Sequence, residues 1–369
     1  MKKIIIIGLV ALSACVYPYE IEGVKEIASM LVVEGDIIAN GITEVRLSRS
    51  FALLGEGYPP EEGALVYIED DRQGRYPAIE VDPGRYEAQT RNLDLGLRYR
   101  LYIELASKKV YVSDYVPVLV SPPIDSVTYT VNVGNSALDI HVSTHDPTGA
   151  SRYYKWEYAE NWEIHVALFS EYVFDPSSQA FLHRPYEENI YYCWNTGASS
   201  AILLANSSRL EEDVVTRAPI LTIEEQDTRA SLLYCIQLTQ KVLSQEGYVY
   251  WECLRKNSED MGGIFSNQPS ELRGNVYAMD QAEEIVLGFI SATAVSYSER
   301  TFIPVNLLNR REPTCEIGTP PPLGGFDNID FHKAGWIPMG QSLWAQPGCA
   351  DCRVYGTKNK PSWWPNDHF

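Results

Sequence analysis

Apolar and polar residues alternate in short runs along most of the chain, which predicts β-strands with one buried and one solvated face. The clearest run spans residues 98–105, where Tyr99 and Leu101 alternate with charged neighbours. Asn40-Gly41 stands between two such runs and predicts a hairpin with a type I′ turn, because that turn needs positive φ at both central residues. The chain is therefore expected to be mainly β.

Residues 28–122 carry the pattern of one β-sandwich, closed by strands in the stretch GRYEAQTRNLDLGLRYRLYIEL. That stretch resembles the closing strands of transthyretin-like and carboxypeptidase-regulatory sandwiches, so a transthyretin-like or immunoglobulin-like module is expected. Ser121-Pro122-Pro123 places the domain boundary at about residue 122, since proline disfavours both helix and central strand.

A second β-rich domain is expected over residues 123–308, with strand-like runs that include APILTIEE, YCIQLTQKVL, GNVYAM and EIVLGFISATAV. One inserted helix is predicted at residues 244–259, where Ser244 is a suitable N-cap and aromatic residues recur at near-helical spacing. Gly262-Gly263 is expected to end this helix.

Residues 309–369 form a segment that we call the C-terminal clasp. It contains eight prolines between Pro313 and Pro365, so little regular structure is expected there. Disulfides are expected to staple this irregular tail to the second domain, because a segment of this composition builds little core of its own.

The charge balance restricts the possible partners. The formal net charge is −19, and no cluster of lysine and arginine offsets it. Such a surface repels nucleic-acid phosphates and anionic lipid headgroups. Neither a nucleic-acid partner nor a cofactor is expected.

The N-terminus reads MKKIIIIGLVALSAC, a charged start followed by an apolar stretch too short to span a bilayer. Leu12-Ser13-Ala14-Cys15 resembles the lipobox of bacterial lipoproteins, in which the chain is cut before the cysteine and the thiol carries a lipid. The alternative is an ordinary secretory signal with a chance cysteine. We predict a signal peptide over 1–14, a lipidated Cys15 and a tether over 15–27.

The six remaining cysteines are an even number in an exported chain, which favours disulfides over a zinc site or a redox pair. Six cysteines allow 15 complete connectivities, and the sequence does not choose among them. The candidates are Cys193, Cys235, Cys253, Cys315, Cys349 and Cys352.

Aromatic residues offer the best candidates for a binding surface, because exposed rings stack on sugars and anchor protein interfaces. The alternative is that they fill the cores of thin sandwiches. The binding candidates are Trp156, Trp162, Trp336, Trp344, Trp363 and Trp364.

No catalytic or metal site emerges from the motifs. A G-x-S-x-G nucleophile elbow is absent from the sequence, and the six histidines are scattered. Paired carboxylates occur as adjacent residues, whose side chains point apart on a strand. No catalytic residue and no bound metal are therefore predicted.

Several motifs together resemble a family of Bacteroidota outer-membrane lipoproteins known only as a domain of unknown function (family 4249). They are LVVEGDI, PPIDSV, RYYKWEYAENWEI, YWECLRKNSEDMGGIFSNQPSELRGNV, VLGFISAT and the closing CADCR with KPSWWP. The resemblance covers essentially the whole mature chain. It implies two β-rich modules behind a lipid anchor and gives no catalytic residues.

The resemblance also implies a function. Genes of this family commonly lie beside genes for TonB-dependent outer-membrane transporters, so we expect a non-enzymatic accessory subunit of such a transporter. The alternative is a stand-alone surface lipoprotein that binds glycans or peptides. The expected location is the outer membrane, with the cell surface favoured over the periplasmic face.

Overall fold

The computed structural model describes residues 30–50, 59–132, 134, 136–259, 273–281, 283–304, 314–319, 327–340 and 342–366. The expectation of a mainly β chain is confirmed, with 49% strand and 11% helix. The predicted signal peptide, Cys15 and the tether lie outside the described residues.

The elements follow one another in chain order. The first strands are β1 (Leu31–Gly35), β2 (Ile37–Ile38), β3 (Ile42–Arg49), β4 (Leu65–Asp70), β5 (Arg75–Asp82), β6 (Arg85–Gln89), β7 (Arg98–Glu104), β8 (Val110–Ser113) and β9 (Val116–Val120). Next come β10 (Ile124–Asn132), β11 (Ala137–His145), β12 (Tyr153–His165), β13 (Tyr172–Asp175), β14 (Ala180–His183), β15 (Tyr192–Ala198), β16 (Leu203–Asn206), β17 (Val214–Glu224) and β18 (Leu233–Val242). The last are α1 (Gln245–Glu259), β19 (Val276–Ala278), β20 (Ala292–Ala294), β21 (Ser296–Tyr297), β22 (Thr301–Pro304), β23 (Ile317–Gly318), α2 (Asn328–Lys333), β24 (Ile337–Gly340), β25 (Leu343–Ala345) and α3 (Pro347–Ala350).

The first module is a sheet that closes on itself. Its strand order is β1-β3-β6-β5-β4-β7-β9-β20-β2, and β8 links β7 to β19. Because β1 and β2 are one chain segment interrupted only at Asp36, the two ends of this order meet. The alternating residues predicted to face inward, Tyr99, Leu101 and Ile103, are fully buried in its core.

The turn at Asn40-Gly41 differs from the predicted type. β1 pairs with β3 in an antiparallel hairpin, as expected, but neither Asn40 nor Gly41 has a positive φ. The side chain of Asn40 instead donates to the carbonyl oxygen of Val295 at 2.9 Å and accepts from its N–H at 3.0 Å. This two-way contact with a distant strand end holds the turn in another conformation.

The prediction that residues 123–308 form a separate second domain is wrong for one segment. Strand β19 pairs with β8, and β20 pairs in parallel with both β9 and β2, so residues 276–294 complete the first module. Alternation within a run predicts a strand but does not say which sheet the strand joins.

The second module is a sandwich of two layers. The three-stranded sheet β10-β11-β17 faces a six-stranded sheet, in which β12 pairs with β15, β16 and β18, while β21 and β22 pair with β18. Both layers contribute to one core, which includes Leu138 and Ile140 from the first layer and Tyr154 and Ile236 from the second.

The inserted helix is confirmed as α1. The N–H of Gly247 donates to Oγ of Ser244 at 3.1 Å, so Ser244 caps the helix as predicted. The expected stop at Gly262-Gly263 lies outside the described residues. No helix in the described part of the chain is both long and apolar enough to cross a membrane.

The C-terminal clasp holds more regular structure than its composition predicts. It contributes the small sheet β23-β25-β24 and the short helices α2 and α3. Helix α2 begins with a capping box in which Asp327 and Asp330 each accept from the other's backbone N–H. Proline excludes long elements here but tolerates these short ones.

Candidate interaction sites

Two disulfides fasten the C-terminal clasp, as expected. Cys193 on β15 is bonded to Cys352, and Cys315 is bonded to Cys349. The first bridge ties the clasp to the large sheet of the second module, and the second bridge closes a loop within the clasp. The two cysteines of the C-x-x-C pair therefore bond to different partners.

The expected disulfide at Cys235 is wrong. Cys235 on β18 is a buried free thiol that packs with Leu233 and Trp364, and burial raises its pKa to about 12. A thiol in such an apolar site is inert at neutral pH, because the reactive thiolate is disfavoured. Cys253 lies half-buried on α1 and takes part in neither of the two bridges.

Most of the tryptophans predicted as binding candidates are core residues. Trp156, Trp162, Trp344 and Trp364 are buried, so they are not part of an exposed platform. Trp156 and Trp162 fill the core of the second module, which was the alternative interpretation, whereas Trp344 and Trp364 fill smaller clusters formed with the clasp. Trp156 Nε1 donates to Gln240 Oε1 at 2.9 Å.

The remaining two candidates are partly buried and lie in different clusters. Trp336 packs edge-on against Phe331, with ring centroids 5.1 Å apart. The guanidinium carbon of Arg300 lies 4.3 Å from the ring centroid of Trp363, and Phe302 contacts the same ring. The structure therefore pairs Trp336 with Trp344 in one cluster and Trp363 with Trp364 in another.

A different set of aromatic residues lies at the surface near the first disulfide. The ring centroid of Tyr191 lies 5.5 Å from those of His165 and Phe169 and 4.6 Å from that of Tyr192. Tyr186 is 81% exposed, and Phe169 is 47% exposed. Burial raises the pKa of Tyr192, and the nearby Tyr191 and Tyr186 add to this shift. We call Phe169, Tyr186, Tyr191 and Tyr192 the aromatic row.

Four charged side chains meet between the two modules, and we call them the intermodule ion cluster. Lys241 Nζ lies 2.9 Å from Asp36 Oδ2 and 2.9 Å from Glu157 Oε1. Lys155 Nζ lies 2.9 Å from the same Glu157 oxygen and 3.9 Å from Asp36 Oδ2. The ring of Trp251 on α1 covers Lys155, with its centroid 3.7 Å from Nζ.

The topology explains why this cluster is compact. Lys155 on β12 and Lys241 on β18 are directly paired in register, and like charges in that position repel each other. Asp36 reaches them from the break between β1 and β2, and Glu157 reaches them from β12 itself. The two carboxylates therefore neutralise a lysine pair that the sheet alone could not bury.

The electrostatics of the cluster follow from this arrangement. Burial alone would raise the pKa of Asp36, but the ammonium groups of Lys241 and Lys155 outweigh it and hold that pKa below its usual value. The same balance lowers the pKa of Glu157. Burial alone would lower the pKa of Lys241, but Asp36 and Glu157 raise it. Asp36, Glu157 and Lys241 are thus charged at neutral pH.

A cleft of about 590 Å³ opens beside the cluster and is lined by both modules. Asp36 Oδ1 and Trp251 Nε1 are buried there without a hydrogen-bond partner among the described groups. Next to the cleft, Gln240 Nε2 donates to the carbonyl oxygen of Pro122 at 2.8 Å, and the N–H of Val242 donates to Ser121 Oγ at 3.1 Å. These contacts connect the modules at several points.

The sequence analysis missed both the ion cluster and the aromatic row. No signal for the first exists in the sequence, since Lys155 alternates with Tyr154 and Trp156 on β12, a pattern that predicts a solvated lysine. Only the structure shows that Lys155 is buried. A lysine that is buried in this way requires a counter-ion. The described residues include no group of three or more side chains placed to hold a metal ion.

These features define a two-module β protein closed by a disulfide-bonded clasp. Its sequence places it in a family: the chain belongs to the family described as a domain of unknown function (DUF4249), whose sequence profile matches residues 16–299. No curated protein matches the chain.

Two similar solved structures are those of a pullulanase from Anoxybacillus sp. LM18-11. The structure with maltotriose has 11% identity and a TM-score of 0.17, over 58% of this chain and 24% of the pullulanase. The structure reported without that ligand has 10% identity and a TM-score of 0.16, over 57% and 24%. The chain thus spans about a quarter of the pullulanase length, and the likeness is too weak to support an argument.

Proposed function

We propose that the protein is a non-enzymatic lipoprotein, anchored to the outer membrane through Cys15, that serves as an accessory subunit of a TonB-dependent transporter. The cell surface is favoured over the periplasmic face. The observation that carries the proposal is the intermodule ion cluster, which fixes two β modules in one orientation. A fixed pair of modules presents a constant surface to a partner.

The buried charges support this role in physical terms. Breaking a buried ion pair by moving one partner away leaves an uncompensated charge, which costs about 3–5 kcal/mol. Asp36 and Lys241 belong to different modules, so this cost opposes separation of the modules. The lipobox-like motif at residues 12–15 supports the proposed anchor, and the gene neighbourhood that the family resemblance implies supports the proposed partner.

Purification of the tagged full-length protein from solubilised outer membrane tests the proposal. We expect one transporter barrel to be recovered in stoichiometric amount and identified by mass spectrometry. A Cys15→Ala variant is the matched control, because it removes the predicted lipid anchor and leaves both modules intact. Recovery of the wild-type protein alone contradicts the proposal.

A second candidate function is the binding of glycans or peptides by the protein alone, and the aromatic row supports it. Exposed aromatic rings are suited to stack on sugars, and a tyrosine hydroxyl can hydrogen-bond a sugar hydroxyl. A glycan array with the wild type, Tyr186→Ala and Phe169→Ala tests it, with Trp336→Ala as the control outside the row. Binding that both row variants retain in full would argue against this role.

A further inference from the structure

The two edges of the three-stranded sheet in the second module differ in how well they are protected against pairing with another strand. Strand β10 forms one edge and pairs with β11 alone among the described residues. Every second residue of an edge strand directs its N–H and C=O away from its neighbour. Unless such an edge is protected, it is a template for another strand.

The opposite edge, β17, carries the usual protection. Pro219 lies within it, Arg217 has a φ of +51°, and its pairing with β11 shifts register twice. Proline and bulges both interrupt the row of hydrogen-bonding groups that an added strand needs.

Strand β10 lacks these devices along most of its length. Its single register shift lies between Ile124 and Ser126, and residues 127–132 read VTYTVN. This stretch has no charge and no proline, and it is rich in β-branched and aromatic residues. An uncharged edge of six residues without proline is what natural β proteins normally avoid.

The flank of β10 is also apolar. Val127 and Val131 pack against the core of the second module but are only partly buried, and Tyr129 between them is 36% exposed. The sheet that ends at β10 has three strands, whereas the described sheet facing it has six. A fourth strand beside β10 would extend the narrower layer and cover these side chains.

We propose that β10 binds an extended segment of a partner polypeptide, which adds to the sheet as a fourth strand. Alternate residues of that segment would be apolar and face the flank of Tyr129. The residues between them would lie on the outer face, where Asp139 is directly paired with Thr130. Basic or hydroxyl side chains suit those outer positions.

Charge favours a different protein over a second copy of this chain. The formal charge of −19 opposes close pairing of two identical chains, whereas it attracts a basic segment. Binding by strand addition goes beyond the proposed function. Only the identity of the partner rests on the proposed function.

Hydrogen exchange tests the edge directly. The probe is a nine-residue peptide that alternates lysine and valine, and the control is the same peptide N-methylated at every second residue. The control keeps the charge and the side chains but loses the backbone donors. We expect amide exchange in 124–132 to become about tenfold slower with the first peptide, because these amides gain hydrogen-bond partners. Equal protection by both peptides, or protection of β17 instead, would overturn the proposal.

A pair of variants tests whether binding depends on this edge. Tyr129→Lys places a charge at the open edge, and Ile79→Lys makes an apolar-to-lysine change on β5, which is paired on both sides. We expect Tyr129→Lys to weaken binding of the probe peptide at least about tenfold, with no change for Ile79→Lys. Circular dichroism verifies that both variants fold.

The same variants separate this inference from the proposed function. If Tyr129→Lys loses the transporter and Ile79→Lys retains it, the inference is supported. If both retain it, and the peptide fails to protect 124–132, the inference is wrong while the proposed function stands. If no form recovers a transporter but the peptide protects β10, the strand addition stands and the proposed function fails. A wild-type dimer that Tyr129→Lys dissociates would overturn the inference, since the occupant would then be a second copy.

Discussion

The carboxylate of Asp36 in the first module lies 2.9 Å from the ammonium nitrogen of Lys241 in the second module, and both side chains are buried. Two residues that are 205 positions apart in sequence thus form the central contact between the modules. This pair and the charges around it contribute to the contact between the modules.

Removal of Lys241 is expected to destabilise the protein strongly. Lys241→Met leaves Asp36 buried with only the more distant Lys155 as a counter-ion, so we expect a loss of about 3–5 kcal/mol in the free energy of unfolding. Urea denaturation measures it. Lys108→Met, which removes an exposed ion pair with Glu104, is the control and should cost under about 1 kcal/mol. A similar small loss for both variants would show that the cluster does not hold the modules.

The pair formed by His145 and Asp125 should depend on pH near neutrality. The hydrogen bond and charge of Asp125 raise the pKa of His145 above its ordinary value. The pair therefore stabilises the folded state fully below about pH 6.5 and loses that contribution as the pH rises through the raised pKa.

An NMR titration of His145 measures this shift. Asp125→Asn should return the midpoint of the His145 titration towards the ordinary value. Asp139→Asn, on the same strand as His145, should leave that midpoint unchanged. Identical midpoints for the wild type and Asp125→Asn would contradict the prediction.

The disulfide between Cys193 and Cys352 should contribute substantially to stability, since it joins residues 159 positions apart. The double variant Cys193→Ala/Cys352→Ala is expected to lose roughly 2–5 kcal/mol. Peptide mapping without reduction should recover the two described bridges, with Cys235 alkylated only after unfolding. Rapid alkylation of Cys235 in the native protein would disprove its burial.

The tryptophans of the clasp should differ in their effects on stability. Trp344 is fully buried, so Trp344→Ala is expected to cost about 3–5 kcal/mol. Trp363 is partly exposed, and Trp363→Ala should cost much less, since the contact with Arg300 contributes about 1 kcal/mol. Thermal unfolding of both variants compares them, and an equal loss would be unexpected.

The sequence predicted individual strands better than their arrangement. Tyr99 and Leu101 alternate with charged residues, and this local pattern alone identifies β7 and its buried face. Residues 276–294 show equally good strand patterns, yet their sheet depends on parallel pairing with β9 and β2. That pairing joins segments far apart in sequence, and no local pattern encodes it.

The candidate sites were harder to predict for a related reason. A tryptophan has the same sequence signature in a core and on a surface, so the sequence did not indicate that Trp156 and Trp344 are buried. The free thiol of Cys235 is equally invisible, because a cysteine has the same sequence signature as a buried thiol and in a disulfide. Lys155 was no more informative, since a lysine between two aromatic residues on a strand is expected to face solvent.

The parallel pairing of β9 with β20 has a mechanical consequence. Both strands run in the same direction out of the first module, and the chain continues from each of them into the second module, at Ser121 and at Ser296. A single connection would act as a swivel, whereas two adjacent parallel connections resist torsion. A pull applied to the second module would be shared between these two adjacent connections, so the joint between the modules would resist turning.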